Sequence, residues 1–178
     1  MSVKDESRVP EFLKMMDELY STRLEIGIFG DGKGGETHDK GKPITVLGIA
    51  TINEFGLQIK ITDKARNYLR AVGMPLKRGT SHINIPERSF IRSGYDDGKG
   101  KMMDRGETLL KKVINLELPV SAFFDALGEY AVGLIQEYLT DIRSPKNHPF
   151  TVARKGSSNP LIDTGLLRQS IEYQVVRK

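Results

Sequence analysis

The stretch "PVSAFFDALGEYAVGLIQEYLTDI", residues 119–142, decides the fold, because its apolar residues return at every third or fourth position. Val120, Phe123, Phe124, Leu127, Ala131, Leu134, Ile135, Tyr138, Leu139 and Ile142 lie along one stripe, the pattern of an amphipathic helix. Pro119 suits the first turn of that helix, where its missing N–H costs nothing. Just upstream, Met102 or Met103, Gly106, Leu109, Leu110, Val113 and Ile114 mark a second stripe. Two adjacent amphipathic helices cannot hide both stripes alone, so they must pack on each other and on a sheet.

Outward from these helices the period changes. "RLEIGIF" (23–29), "LQIKIT" (57–62), "SHINIP" (81–86) and "SIEYQVV" (170–176) alternate apolar and polar residues, as half-buried strands do. Pro10–Tyr20 places Phe12, Leu13, Met16, Leu19 and Tyr20 at helical spacing. The apolar run of residues 44–56 fits a strand or a helix, and its three- and four-residue steps with Gly56 as a stop lean toward helix, while 62–73 reads as a short helix capped by Thr62 or Asp63. The predicted fold class is therefore α+β: a small, mostly antiparallel sheet packed against two long amphipathic helices, with extended loops or arms. The length of 178 residues fits one domain, 1–178.

Two segments lack a period. "GDGKGGETHDKGK" (30–42) reads as a flexible glycine-rich loop; it fails as a phosphate loop because Gly41-Lys42 is followed by Pro43 rather than Ser or Thr. "SPKNHPFTVARKGSSNP" (144–160), with three prolines, reads as a long loop or arm. Both are expected to order on adjacent copies of the chain.

Composition narrows the function classes. No apolar run approaches the roughly 20 residues of a membrane helix, and "MSVKDESRVP" has no apolar core of a signal peptide, so no membrane partner is expected and the chain is expected in the cytoplasm of its cell. The absence of cysteine removes disulfides, thiolate zinc sites and cysteine nucleophiles. The net charge of +4 is uneven: residues 60–112 hold 13 Lys and Arg against six Asp and Glu. Such a field suits DNA or an acidic surface, so a basic nucleic-acid-binding module is an alternative reading, but the aromatic-and-basic platform of single-strand binders is absent and a solvated charged face is the plainer reading of the same residues.

Asp163-Thr164-Gly165 spells the triplet of aspartic proteases, whose chemistry needs two carboxylates sharing a proton and hence a dimer of this chain. Only thirteen residues follow Gly165, too few for a flap and a second half-barrel, and the triplet reads instead as a helix start capped by Asp163 or Thr164. His38, His82 and His148 lie far apart without ligand spacing, and no Gly-x-Ser-x-Gly elbow is present. No catalytic, cofactor-binding or metal-binding residue is assigned, and neither a cofactor nor a small-molecule substrate is expected.

Three segments in order, "INEFG" (52–56), "IPERSFIRSG" (85–94) and "PLIDTGLLRQSIEYQV" (160–175), resemble the tail-completion or virion-morphogenesis proteins of long-tailed bacteriophages and prophages. The matching positions are Asn53, Glu54, Phe55 and Gly56; Ile85, Pro86, Arg88, Ser89, Phe90 and Arg92; and Asp163, Thr164, Gly165, Leu167, Ser170 and Ile171. The resemblance covers about positions 44 to 175. It implies a structural virion protein at the head–tail junction or tail end, joining or completing the tail as a ring-shaped homo-oligomer. Its implied partners are copies of itself and neighbouring connector and tail proteins, with DNA passing or touching it. Physically, Phe55, Phe90, Leu167 and Ile171 are expected in the core, Gly56 at a turn and Pro86 at a strand end. Arg88 and Arg92 are expected to pair with Glu54 or Glu87, or to touch other subunits.

Overall fold

The computed structural model describes residues 7–37 and 44–178. Along the described chain the elements are α1 (Val9–Ser21), β1 (Thr22–Gly27), α2 (Val46–Phe55), β2 (Leu57–Lys60), α3 (Asp63–Ala71), β3 (His82–Ile85), α4 (Phe90–Ile114), α5 (Val120–Asp141), α6 (Pro149–Lys155), α7 (Leu166–Gln169) and β4 (Glu172–Arg177). The protein is a mixed helix-and-strand fold whose spine is the antiparallel pair α4 and α5.

At 1.5 Å per residue, the 25 residues of α4 extend about 37 Å. Its sequence stripe begins at Met102, yet the helix starts twelve residues earlier, through a run holding Gly94, Gly98 and Gly100. Glycine lowers helix propensity, and close packing explains why it is tolerated here. A methyl at Gly94 would stand 3.3 Å from Tyr138 Cβ, and one at Gly98 3.3 Å from Leu134 Cβ, so the two glycines let α5 approach. Of the two methionines, Met102 is buried and Met103 is exposed.

Two apolar clusters lie along this spine. One joins the first half of α4 and the second half of α5 to α2, α7 and the segments around them, through Val46, Ala50, Phe90, Ile135, Leu139 and Ile171. The other joins the opposite ends of the same helices to α1, through Met15, Leu109, Val113, Val120, Phe123 and Phe124. The Phe123 and Phe124 rings meet edge to face at 5.0 Å.

All four strands predicted by alternation form, and all pair antiparallel. They make two separate two-stranded ribbons rather than one sheet. β1 pairs with β4 from Thr22↔Arg177 to Gly27↔Glu172, and this ribbon packs on α5, where Gly128 leaves room for the Tyr173 ring. β2 pairs with β3 from Leu57↔Ile85 to Lys60↔His82, beside the start of α4. Every residue of β2 is exposed, and Leu57, Ile59, Ile83 and Ile85 are the apolar residues that alternate along the ribbon.

The segment 144–160, read from sequence as a loop or arm, contains α6 and is held to its own chain. Asn159 Nδ2 donates to Thr140 O at 2.8 Å and Asn147 Nδ2 to Pro160 O at 3.1 Å. Residues 30–37 of the glycine-rich loop form a turn, one 3-10 turn and a bridge from Thr37 to Thr45. His38 and the remainder of that loop lie outside the described residues.

Candidate functional site

The three motif segments converge on α2. This helix is capped at its start by Thr45, whose Oγ1 accepts from Gly48 N at 3.1 Å, and it ends at Gly56 with φ +72°. A side chain at Gly56 would be strained in that left-handed conformation and would stand 3.0 Å from Glu87 N. Gly56 thus turns the chain from α2 into β2, and Pro86 directly follows the last residue of β3, both as expected.

Glu54, near the end of α2, is 5 % exposed. Its Oε2 accepts from Ile91 N and its Oε1 from Arg92 N, each at 3.0 Å. These are among the backbone N–H groups that the first turn of α4 leaves without helical partners. Ser89, at the capping position, makes no side-chain cap bond, so the cap is supplied by a carboxylate 37 and 38 residues earlier in the chain. A negative charge there also faces the positive end of the α4 dipole.

Arg92 completes this contact. Its Nε donates to Glu54 Oε1 at 3.0 Å, and one Nη donates to Glu54 O and to Glu87 Oε1, each at 2.8 Å. The hydrogen bond to Glu54 is the largest cause holding the Arg92 pKa above its ordinary value. The guanidinium also lies 4.7 Å over the Phe55 ring. Phe55 is therefore not a core residue as its apolar character suggests: it is 62 % exposed, with its ring covered by an arginine.

Arg88 is used differently. It is 6 % exposed and its acceptors are neutral. Nε donates to Pro145 O at 2.8 Å, Nη2 to Asn147 Oδ1 at 3.1 Å and Nη1 to Asn53 Oδ1 at 3.4 Å. Its backbone N donates to Asn53 O at 2.6 Å. Burial pulls the Arg88 pKa below its ordinary value, the cost of removing the guanidinium from water. Arg88 therefore ties α2 to the 144–160 segment, while Arg92 forms the ion pair with Glu54 and Glu87.

The third motif segment also packs against α2. Leu167 and Ile171 are buried beside Val46 and Ala50, and Phe90 is completely buried in the same cluster. Ser170 is also fully buried, and its Oγ donates to Leu166 O at 2.8 Å. Thr164 Oγ1 accepts from Leu166 N at 3.3 Å, and Gly165 at φ +84° opens α7. Asp163 and Thr164 are exposed at the rim of a hollow of about 160 Å³ that Asn53 and Lys155 also line. Burial lowers the Lys155 pKa, with the Asp163 charge acting against that shift and the Arg88 charge adding to it. A wider groove of about 590 Å³ lies between α2, β3 and the start of α6, lined by Ile49, Ile52, Met74, Ile83, Ile85 and Lys146.

Sequence reasoning selects Asn53, Glu54, Arg88 and Arg92 but misses Asn147 and Asn159. Each stands next to or near a proline in a segment without a period, and Asn before Pro is a signal of a turn held by its own side chain. Asn159 Oδ1 indeed accepts from Leu161 N and Ile162 N, at 2.9 and 3.1 Å.

No family model, curated protein or solved structure compared with the chain matches it. Among the described residues no group of three His, Asp or Glu is placed to hold a metal ion. The geometry does one thing clearly: it fastens distant segments to one another through buried, hydrogen-bonded charge.

Proposed function

We propose that the protein is a structural subunit of a long-tailed phage or prophage particle, completing or joining the tail at the head–tail junction or tail end by assembling with copies of itself and with neighbouring connector and tail proteins. The observation that carries this reading is an uncovered apolar face on α1. Val9, Phe12, Leu13, Met16 and Tyr20 share one stripe of that helix and are all exposed, Tyr20 at 83 %. Met15 and Leu19 face inward beside that stripe and anchor the helix to the α4–α5 turn. A contiguous exposed apolar face of this kind marks a contact with another protein.

A second exposed apolar group, Phe55, Leu57 and Ile59, lies at the other end of α4. Two such surfaces separated by the roughly 37 Å of that helix suit a head-to-tail contact, the kind that closes into a ring when the rotation allows. The motif positions act in this reading as the fastening that keeps each subunit's shape, and the chain performs no catalytic step.

The test is solution mass by light scattering over a range of concentrations, for the natural chain and for Leu13→Asp with Met16→Asp. The reading expects a discrete multimer for the natural chain, and a monomer of unchanged circular dichroism for the double variant. A natural chain with the same mass as the variant at every concentration would overturn it.

A further inference from the structure

The basic stretch 60–112 is not one surface. Arg88 is buried on carbonyl oxygens, Arg92 is paired with Glu54 and Glu87, and Lys111 is paired with Glu107 at 2.8 Å. Four further exposed cations, Lys99, Lys101, Arg105 and Lys112, lie on α4 among Asp96, Asp97, Asp104 and Glu107, so the excess of positive charge is greatest on the excursion β2–α3–β3. Residues 57–85 hold six Lys and Arg, with Asp63 as the one acidic residue. Arg66 is used internally, donating to Lys77 O and Thr80 O. The other five, Lys60, Lys64, Arg70, Lys77 and Arg78, are exposed, and among the described residues none lies within ion-pair distance of a carboxylate.

The excursion has a defined shape that presents these cations. Thr62 caps α3, its Oγ1 accepting from Ala65 N at 3.2 Å, and β2 and β3 close the base through four registered pairs. Ala65 and Leu69 form the half-buried side of α3, leaving Lys64, Tyr68 and Arg70 outward. No residue of α3 is fully buried, so the helix stands on the surface of the fold. The cations occupy the ribbon end, the helix and the turn after it, spread over a surface rather than gathered into a pocket.

We propose that this β2–α3–β3 arm binds the phosphate backbone of duplex DNA without sequence preference. A surface of one sign with a single acid lacks the interspersed charges that set register against a protein partner. It matches a polyanion whose charges recur along its whole length. This inference stands apart from the tail-assembly reading, because DNA affinity is measurable whatever the oligomeric state of the chain.

The experiment is fluorescence anisotropy with a mixed-sequence duplex over a salt series, with polyglutamate as competitor. If all five cations meet phosphates, log K falls against log salt with a slope of about −4.5. Neutralising Lys60, Lys64, Arg70, Lys77 and Arg78 to Ala should cut affinity at least tenfold and flatten the slope. Neutralising Lys99, Lys101, Arg105, Lys112 and Arg154, equally exposed and equal in charge, should change it less than threefold. Solution mass measured on each variant separates lost DNA contact from lost assembly. Absence of binding by the natural chain at low salt, equal loss in both variants, or displacement of DNA by an equal charge of polyglutamate would each overturn the proposal.

Discussion

The hub around α2 and the arm that follows it use the same residue types in opposite ways. In the hub, Glu54 and Arg88 are almost completely buried, and their polar atoms meet backbone or side-chain partners at hydrogen-bond distance. In the arm, five cations remain exposed and without carboxylate partners among the described residues. Charge inside the hub is costly to disturb, because removing one member leaves the others buried and unmatched. Charge on the arm is exposed to water and contributes little to folding.

The sharpest way to break this contrast is Glu54→Ala. It removes the cap from two N–H groups of α4 and one partner of Arg92, with an expected loss of about 3 kcal/mol. In a chain of this size that corresponds to a fall in unfolding midpoint of roughly 6 to 12 °C. A denaturation series reads it directly, and a loss within experimental scatter would remove the hub from the account. Arg88→Ala should follow at about 2 kcal/mol, since Pro145 O and the two asparagine oxygens lose their donor while the charge that was costly to bury also disappears. Neutralising all five arm cations should move stability by less than about 0.5 kcal/mol. A larger loss would mean that the arm's charge is structural after all.

The smallest expected effect belongs to neither region. Burial, with Asp125 adding to it, raises the Tyr173 pKa above its ordinary value of 10.0. The neutral phenol is favoured in the folded chain, so its contribution is fully present below pH 10 and is lost as pH rises through the raised value. Unfolding followed from pH 9 to 11.5 should show falling stability, and Tyr173→Phe should flatten that fall.

Much of the fold is legible because its periods are clean. Alternation at Leu24 and Ile26, Leu57 and Ile59, Ile83 and Ile85, and Tyr173 and Val175 locates every strand in the described chain. Helical stripes likewise locate α1, α2 and α5, and the capping signal at Thr62 or Asp63 locates α3. Pairing is not legible, since alternation states which face is buried and not which strand lies alongside. The first three turns of α4 are obscured by Gly94, Gly98 and Gly100, of which Gly94 and Gly98 serve contact with α5 rather than local propensity. The candidate site is legible as residues but not as an arrangement. Glu54 and Arg92 stand out in the motif segments, yet nothing local shows that one caps the helix carrying the other. Phe55 is misread because an aromatic ring under a guanidinium has the same sequence signature as one in a core.

The claim at the centre of this account is that buried charge locks the hub while the arm stands free for partners. Residue-resolved amide hydrogen exchange tests it most directly. The account predicts that the Ile91 and Arg92 amides, which donate to Glu54, are protected nearly as well as the middle of α5, while the amides of α3 exchange at least a hundredfold faster. Equal protection of α3 and the start of α4 would contradict it.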